Sequence, residues 1–166
     1  MASTKPKRTR LGTIEVDQSG KIEQTHVDTI LAFSNGAQYS IRIPASVKRS
    51  VLGALEQKRK PSASKKAIPL RLFAAGLYLL LEDHLNTCDS IVIDAEYVGH
   101  EVDIRGMLLS LIWRSRPAFA SDQINFGRVG KKSPAHDLAW SVTRGKRPAN
   151  RLATEAELLD LLQITK

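Results

Sequence analysis

Three aspartates lie at boundaries between apolar and polar segments of the chain: Asp17, Asp94 and Asp137. Carboxylates at such positions can bind hard divalent cations or transfer protons. Asp17 and Asp137 also have ordinary structural explanations, as a turn residue and as a partner of the helix dipole. Asp94 is harder to explain in this way, because it ends the apolar run 91–93 and burying an unpaired carboxylate is costly.

Other familiar arrangements of reactive residues are missing from the sequence. It contains no Walker phosphate loop, serine-hydrolase elbow, HExxH motif or dinucleotide-binding glycine pattern. Cys88 is the only cysteine, so an internal disulfide and a two-cysteine metal site are excluded. Because Cys88 immediately precedes an apolar run, we expect a buried structural thiol.

The chain carries an excess of positive charge. Its 166 residues include 25 Lys and Arg against 17 Asp and Glu, which gives a net charge of +8. Such a surface attracts phosphate polyanions, so nucleic acid is the expected partner, with a generic basic surface as the alternative. We expect no membrane partner and a cytoplasmic location, since the longest apolar segment is too short to span a bilayer and no signal peptide is recognisable.

Hydrophobic periodicity predicts an α/β fold. Apolar alternation and short apolar runs predict strands at residues 13–17, 29–33, 39–43, 89–94 and 123–129. The turn signal Asn35-Gly36 makes the first part of the chain an antiparallel meander. Helical spacing predicts helices at 46–57, 67–85, between Gly99 and Pro117, at 134–142 and at 154–163. The expected N-caps are Ser46, Ser133 and Thr154, the last in a capping box with Glu157.

The distribution of basic residues predicts how nucleic acid is contacted. Residues 1–10 are expected to form a disordered basic arm, and residues 11–166 a single α/β domain with a basic loop at 58–66. Aromatic residues make up only 5 % of the chain, and they do not alternate with basic ones, so recognition of backbone and shape is expected rather than base stacking. The expected contacts are Lys58, Arg59, Lys60, Arg128, Lys131, Lys132, Arg144, Lys146 and Arg147.

The order of the elements resembles the ribonuclease H-like superfamily of nucleases, resolvases and integrases. The resemblance covers roughly residues 11–145 and depends on topology and on the three aspartates, since no long motif matches. It implies a five-stranded mixed sheet flanked by helices, with three antiparallel strands followed by parallel ones. In that sheet the first and fourth strands are neighbours, which would bring Asp17 and Asp94 together.

The resemblance also implies a reaction. Members of the superfamily hold divalent ions between acidic side chains and hydrolyse phosphodiester bonds by in-line attack of an activated water. The chain is therefore expected to be a nuclease dependent on Mg²⁺ or Mn²⁺, with Asp17, Asp94 and Asp137 as catalytic metal ligands. The implied products carry 3′-hydroxyl and 5′-phosphate ends.

One position departs from the superfamily pattern. A fourth acid often lies near the start of the first long helix, but Lys65 and Lys66 stand there in this chain. Glu96 or Glu101 could substitute, and Glu96 is the expected fourth ligand. His136 is expected to transfer a proton or assist product release, with an ordinary surface histidine as the alternative.

Two other functions fit the same residues. The chain could be a non-catalytic nucleic-acid-binding module on this fold, or an adaptor subunit of a nucleoprotein complex. Pairing of the aspartates with Arg or Lys would favour these roles, whereas three carboxylates within about 6 Å and open to solvent would favour the nuclease. The substrate stays open between RNA, DNA, hybrid and junction. A homodimer through helix 67–85 or the C-terminal helix is an alternative to their burial in the core.

Overall fold

The strands of the computed structural model, which describes residues 10–164, form one mixed sheet. Three strands are antiparallel neighbours: β1 (Gly12–Ser19), β2 (Thr29–Ser34) and β3 (Gln38–Ile43). Two more continue the sheet in parallel beyond β1: β4 (Cys88–Asp94) and β5 (Ile124–Gly127). The predicted α/β class with a mixed sheet is therefore confirmed, and the first and fourth strands are neighbours.

The predicted count of five strands is wrong, because β6 (Arg151–Leu152) pairs in parallel with β3 and gives the order β5-β4-β1-β2-β3-β6. Two residues are too few to show strand periodicity. The Arg151 side chain holds this strand in place, since its guanidinium lies 2.8 Å from Glu82 and 2.8 Å from Glu157. An ion pair between residues far apart in the chain, such as Arg151 and Glu82, cannot be recognised from the sequence around either residue.

Five α-helices accompany the sheet: α1 (Ala45–Lys58), α2 (Ala67–Leu81), α3 (Glu101–Ser115), α4 (Pro134–Thr143) and α5 (Glu155–Leu161). The predicted caps at Ser133 and Thr154 are confirmed, including the capping box with Glu157. The predicted cap at Ser46 is wrong, because α1 begins at Ala45 after Pro44. Helix α2 ends before the predicted residue 85, since residues 82–87 form turns in which the Thr87 hydroxyl donates to the His84 carbonyl.

The helices cover the two faces of the sheet unequally. Helices α1, α2, α3 and α5 pack on one face around Phe33, Phe73 and Leu77. Helix α4 packs on the other face, where Leu138, Ala139 and Val142 contact Ile30 and Ala32 of β2. This second face carries the polar residues of β1 and β4, so α4 and those residues share a layer.

Several other expectations concern burial. Cys88 is buried, as expected. Leu158, Leu159 and Leu162 belong to the main core together with α2, so both candidate dimer segments are used inside the chain, and homodimerisation stays a prediction. Apart from exposed Arg10, which pairs with Asp89, the predicted basic arm lies outside the described residues. Across residues 10–164, no helix has the length and apolar character needed to cross a membrane.

Candidate metal centre and cationic cleft

The pleat of the sheet brings Asp17 and Asp94 together. In the parallel pair β1 and β4, Val16 is the register partner of Ile93, and both of these side chains are buried in the main core. Because side chains alternate along a strand, the next residues, Asp17 and Asp94, face the opposite side, where α4 lies. Both residues also lie near the carboxyl ends of their strands. Two carboxylates predicted from distant segments therefore share one edge and one face.

Asp17 is almost completely buried, with 4 % of its surface exposed. Its Oδ1 accepts a hydrogen bond from the Gln18 amide at 2.8 Å, and its Oδ2 lies 2.8 Å from His136 Nδ1. Burial raises the pKa of Asp17, and the negative charge of Asp94 adds to this effect, although both hydrogen bonds oppose it. The site therefore holds a carboxylate whose charge is only partly compensated by the protein.

Asp94 and Glu96 are positioned by the turn that follows β4. The Val129 amide donates to Asp94 Oδ1 at 2.8 Å, and the Glu96 amide donates to the Asp94 carbonyl at 2.9 Å, which turns the chain back on itself. Burial is the main cause that raises the pKa of Glu96, followed by its hydrogen bond with Asp94 and the charge of Asp94. Lys21 opposes this shift, with its Nζ 3.8 Å from Glu96 Oε2.

Asp17, Asp94 and Glu96 form a group that could hold a metal ion, since ligand atoms from all three lie within 4.8 Å of one another. Carboxylate oxygens are the ligands that Mg²⁺ and Mn²⁺ prefer. Like charges so close together are stable only with protons or a cation between them. Burial is the main cause of the raised pKa values of Asp17 and Glu96, and the negative charge of Asp94 adds to both shifts. The residues present therefore fit a hard divalent ion.

The predicted ligand Asp137 is not brought to this group. It is exposed on α4, whereas its neighbour His136 contacts Asp17. One residue along an α-helix rotates a side chain by about 100°, so only one of the two can face the sheet. Ser133 and Pro134 fix where the helix begins, and this phase selects His136. Asp137 is therefore outside the acidic group, and His136 is the α4 residue that contacts Asp17.

Residues that the sequence reasoning missed hold the Glu96 segment against β1. The Tyr97 hydroxyl accepts from the Ile22 amide at 3.2 Å and from Gln18 Nε2 at 3.3 Å. Burial raises the pKa of Tyr97 to about 12, so the hydroxyl keeps its proton at physiological pH and donates it to Glu23 Oε2 at 3.3 Å. Tyr97 directly follows a candidate acid, which is the signal that sequence inspection could have used.

The loop between β1 and β2, which carries Lys21, is held by the buried side chain of Lys48. Lys48, on α1, is completely buried. Its Nζ donates to the carbonyls of Lys21 at 3.0 Å and Gln24 at 2.8 Å, and to Thr29 Oγ1 at 3.0 Å. These bonds fix the loop between β1 and β2, and with it the cation that faces Glu96.

The acidic group lies in an open cleft of about 870 Å³. Arg128, Lys131 and Lys132 line the same cleft, as do Asp94, Glu96 and His136. The three cations are exposed, so their charge is available to a ligand. The strand predicted to reach residue 129 ends at Gly127, because the Val129 amide turns to Asp94, and this places the basic loop at the cleft edge.

The remaining predicted contacts lie outside this cleft. Arg144, Lys146 and Arg147 are exposed just after α4, and Arg147 donates to Gln38 at 2.9 Å. Lys58 and Lys60 are exposed around the end of α1, and Arg59 pairs with Glu56. Neither set is among the cleft-lining residues.

Fold and site together define an α/β protein with an acidic group inside a cleft that has a cationic edge. Comparison of the chain with protein-family models, curated proteins and solved structures finds no match.

Proposed function

We propose that this chain is a divalent-metal-dependent nuclease that hydrolyses phosphodiester bonds in nucleic acid. The observation that carries the proposal is the convergence of Asp17, Asp94 and Glu96 in a cleft edged by Arg128, Lys131 and Lys132. An acidic metal site alone would repel a phosphodiester, whereas a cationic edge beside it attracts one. Hydrolysis of a phosphodiester needs both a bound metal ion and a bound phosphate. The acidic group suits the first and the cationic edge suits the second.

The sheet supports a ribonuclease H-like fold as part of this proposal. The resemblance implied a central pairing of the first and fourth strands, and β1 and β4 are parallel neighbours. The antiparallel strands β2 and β3 continue the sheet beyond β1 and β5 continues it beyond β4, with β6 as an addition beyond β3. The carboxyl ends of β1 and β4 carry the first two acids, as the superfamily pattern requires.

The proposed roles follow from position in the cleft. Asp17, Asp94 and Glu96 would hold Mg²⁺ or Mn²⁺, which when bound neutralises phosphate charge and lowers the pKa of water. Lys131 and Lys132 would bind the substrate phosphates on either side of the reacting one. The exposed edge formed by Arg128 would extend this contact along the strand.

His136 is suited to move protons during the reaction. His136 lines the cleft, and its Nδ1 contacts Asp17 Oδ2. In the proposed role Nδ1–H donates to Asp17, so Nε2 would be the proton-accepting nitrogen. In the proposed step a water oxygen bonds to phosphorus, Nε2 takes a proton from that water, and the bond from phosphorus to the 3′ oxygen breaks. The 3′ oxygen then takes up a proton, so a 3′-hydroxyl and a 5′-phosphate result.

The test is cleavage of labelled single-stranded, duplex, hybrid and four-way-junction substrates with Mg²⁺ or Mn²⁺. We expect metal-dependent cleavage that is lost in Asp17→Asn and in Asp94→Asn. The matched control is Asp137→Asn, which removes an exposed carboxylate from the same helix as His136 and should keep activity. Binding of every substrate without cleavage by the wild-type protein would overturn the proposal.

One observation favours a second candidate, a non-catalytic nucleic-acid-binding module on the same fold. Lys21 Nζ lies 3.8 Å from Glu96 Oε2, so the protein itself supplies part of the charge that a metal would supply. On this alternative, as for an adaptor subunit, Asp17→Asn would leave nucleic-acid binding unchanged and no divalent ion would bind the cleft.

A further inference from the structure

Helix α4 presents a second group of side chains on the face that carries His136. Residues 136, 140 and 144 are spaced by four, so they lie above one another along the helix. Trp140 is 50 % exposed, although large aromatic side chains contribute most to stability when buried. The Arg144 guanidinium lies 5.4 Å from the centroid of the Trp140 ring, in a cation–π contact.

Trp140 belongs to a groove that continues the cleft. This groove, of about 260 Å³, is lined by Trp140 and Lys21 and shares Gln18, Glu96 and His136 with the cleft that holds the acids. One path therefore leads from the acidic group, past His136, to the indole ring. His136 and Trp140 lie about 6 Å apart along the axis of the helix, because each residue advances about 1.5 Å.

The exposure of Trp140 is not explained by a structural bond. Across residues 10–164, no hydrogen-bond partner holds its indole nitrogen. The second tryptophan, Trp113, is 42 % exposed but its Nε1 donates to the Phe119 carbonyl at 2.9 Å. Trp113 lies on α3, on the opposite face of the sheet. The two residues thus have similar exposure and different surroundings.

We propose that Trp140 and Arg144 form a stacking site for an unpaired nucleic-acid base next to the acidic group. The inference rests on the proposed function for the phosphate position, and it names the substrate class as a strand with unpaired nucleotides at the cleft. A base stacks on an indole ring through its flat face, whereas in a paired duplex both faces are covered by neighbouring bases. Arg144 and the basic edge of the cleft attract the backbone that carries the base.

A stacking site at Trp140 departs from the sequence-based expectation of backbone and shape recognition rather than base stacking. The expectation rested on low aromatic content and on the absence of alternating basic and aromatic residues. A stacking site needs only one ring in the right place, and the turn of α4 joins Trp140 to Arg144 over four positions.

The test uses tryptophan fluorescence with an oligothymidylate, in the presence of EDTA so that no cleavage occurs. Trp113→Phe leaves Trp140 as the only tryptophan, and Trp140→Phe leaves Trp113. We expect the oligothymidylate to quench the first variant and not the second, and a blunt duplex to quench neither. Trp140→Ala should weaken oligothymidylate binding between about 5-fold and about 150-fold, with Trp140→Phe intermediate because a ring remains.

Unchanged fluorescence of Trp113→Phe at saturating oligothymidylate, or equal affinity of Trp140→Ala and wild type, overturns the stacking site. Circular dichroism of Trp113→Phe and Trp140→Ala verifies that they are folded. Trp140→Phe provides the comparison in which an aromatic ring still fills the position. Because binding is measured without metal, quenching without later metal-dependent cleavage would retain this site and reject the nuclease. Metal-dependent cleavage without quenching would retain the nuclease and reject the stacking site.

Discussion

His136 Nδ1 lies 2.8 Å from Asp17 Oδ2, and this contact joins α4 to β1 over the face of the sheet that carries the acids. Because of this contact, a residue of helix α4 lines the cleft beside the acids of strands β1 and β4. The contact restrains the orientation of the imidazole, and His136 also lines the cleft that holds the acids. A side chain that was expected to assist the site is therefore bonded directly to one of its principal acids.

His136 is expected to act in proton transfer, so its removal should slow the chemical step. We predict that His136→Ala lowers the single-turnover cleavage rate by about 10²- to 10⁴-fold, the usual contribution of a positioned acid or base. Substrate affinity, measured in EDTA, should change little. The adjacent variant Asp137→Ala is the control, and an equal loss of rate in both would indicate a structural effect of α4.

The acidic group should make the metal-free protein less stable as the pH rises. Folding raises the pKa of Asp17 and Glu96 above their ordinary values of about 4, so the folded state binds more protons than the unfolded state in that range. Stability from these groups is therefore present below about pH 4 and is lost as the pH rises through the raised pKa values. Thermal unfolding in EDTA across this range measures the effect.

Removing the charge of Glu96 should relieve its repulsion by Asp94 and Asp17. We predict that Glu96→Gln raises the Tm of the metal-free protein near neutral pH by a few degrees, since ~1 kcal/mol corresponds to about 2–4 °C at this size. Addition of Mn²⁺ should raise the Tm of the wild type more than that of the variant. A lower Tm for Glu96→Gln in EDTA would contradict the electrostatic account of the site.

Lys131 and Lys132 should contribute to nucleic-acid binding without choosing a sequence. We predict that Lys131→Ala with Lys132→Ala weakens binding to all sequences alike and lowers the magnitude of the salt slope by about 2, one for each phosphate contact. The control removes the same charge outside the cleft, with Lys58→Ala and Lys60→Ala. Equal changes of slope in the two double variants would mean that the cleft edge is not the binding surface.

Lys48 should be essential for the loop beside the site. Lys48→Met would leave three acceptors without their buried donor, so we predict a loss of about 3 kcal/mol or more in the free energy of unfolding. Exposed Lys58 on the same helix provides the comparison, and Lys58→Met should change stability by less than about 0.5 kcal/mol. Urea denaturation of both variants measures the difference, and a tolerated Lys48→Met would show that the loop is held by other contacts.

The parts of the structure that the sequence predicts are those that depend on local pattern. Alternation in β1 and the apolar run of β4 located Asp17 and Asp94, and a strong cap located the start of α4. The choice between His136 and Asp137 depended on helix phase relative to the sheet, which a single sequence does not reveal. The position of Trp140 beside the cleft likewise depends on how α4 packs against Ile30 and Ala32.

Long-range pairing explains the other differences. Strand β6 is held by Arg151 through Glu82, just after α2, and Glu157 on α5, and no local window contains all three residues. Lys58 and Lys60 are close in sequence to other basic residues, but the fold places the cleft at the ends of β1 and β4 instead. Charge pattern predicted a cationic surface, and only the fold shows which cations face the acids.

Calorimetric titration of Mn²⁺ into the metal-free protein tests the central claim most directly. Wild type should bind Mn²⁺, Asp94→Asn and Glu96→Gln should lose at least about 10-fold in affinity, and Asp137→Asn should bind as the wild type does. Variants of residues outside Asp17, Asp94 and Glu96 should lose less affinity for Mn²⁺, because changes of this size are typical of metal ligands and of the residues bonded directly to them. Wild-type affinity in Asp94→Asn, or loss of binding in Asp137→Asn, would contradict a metal centre formed by Asp17, Asp94 and Glu96.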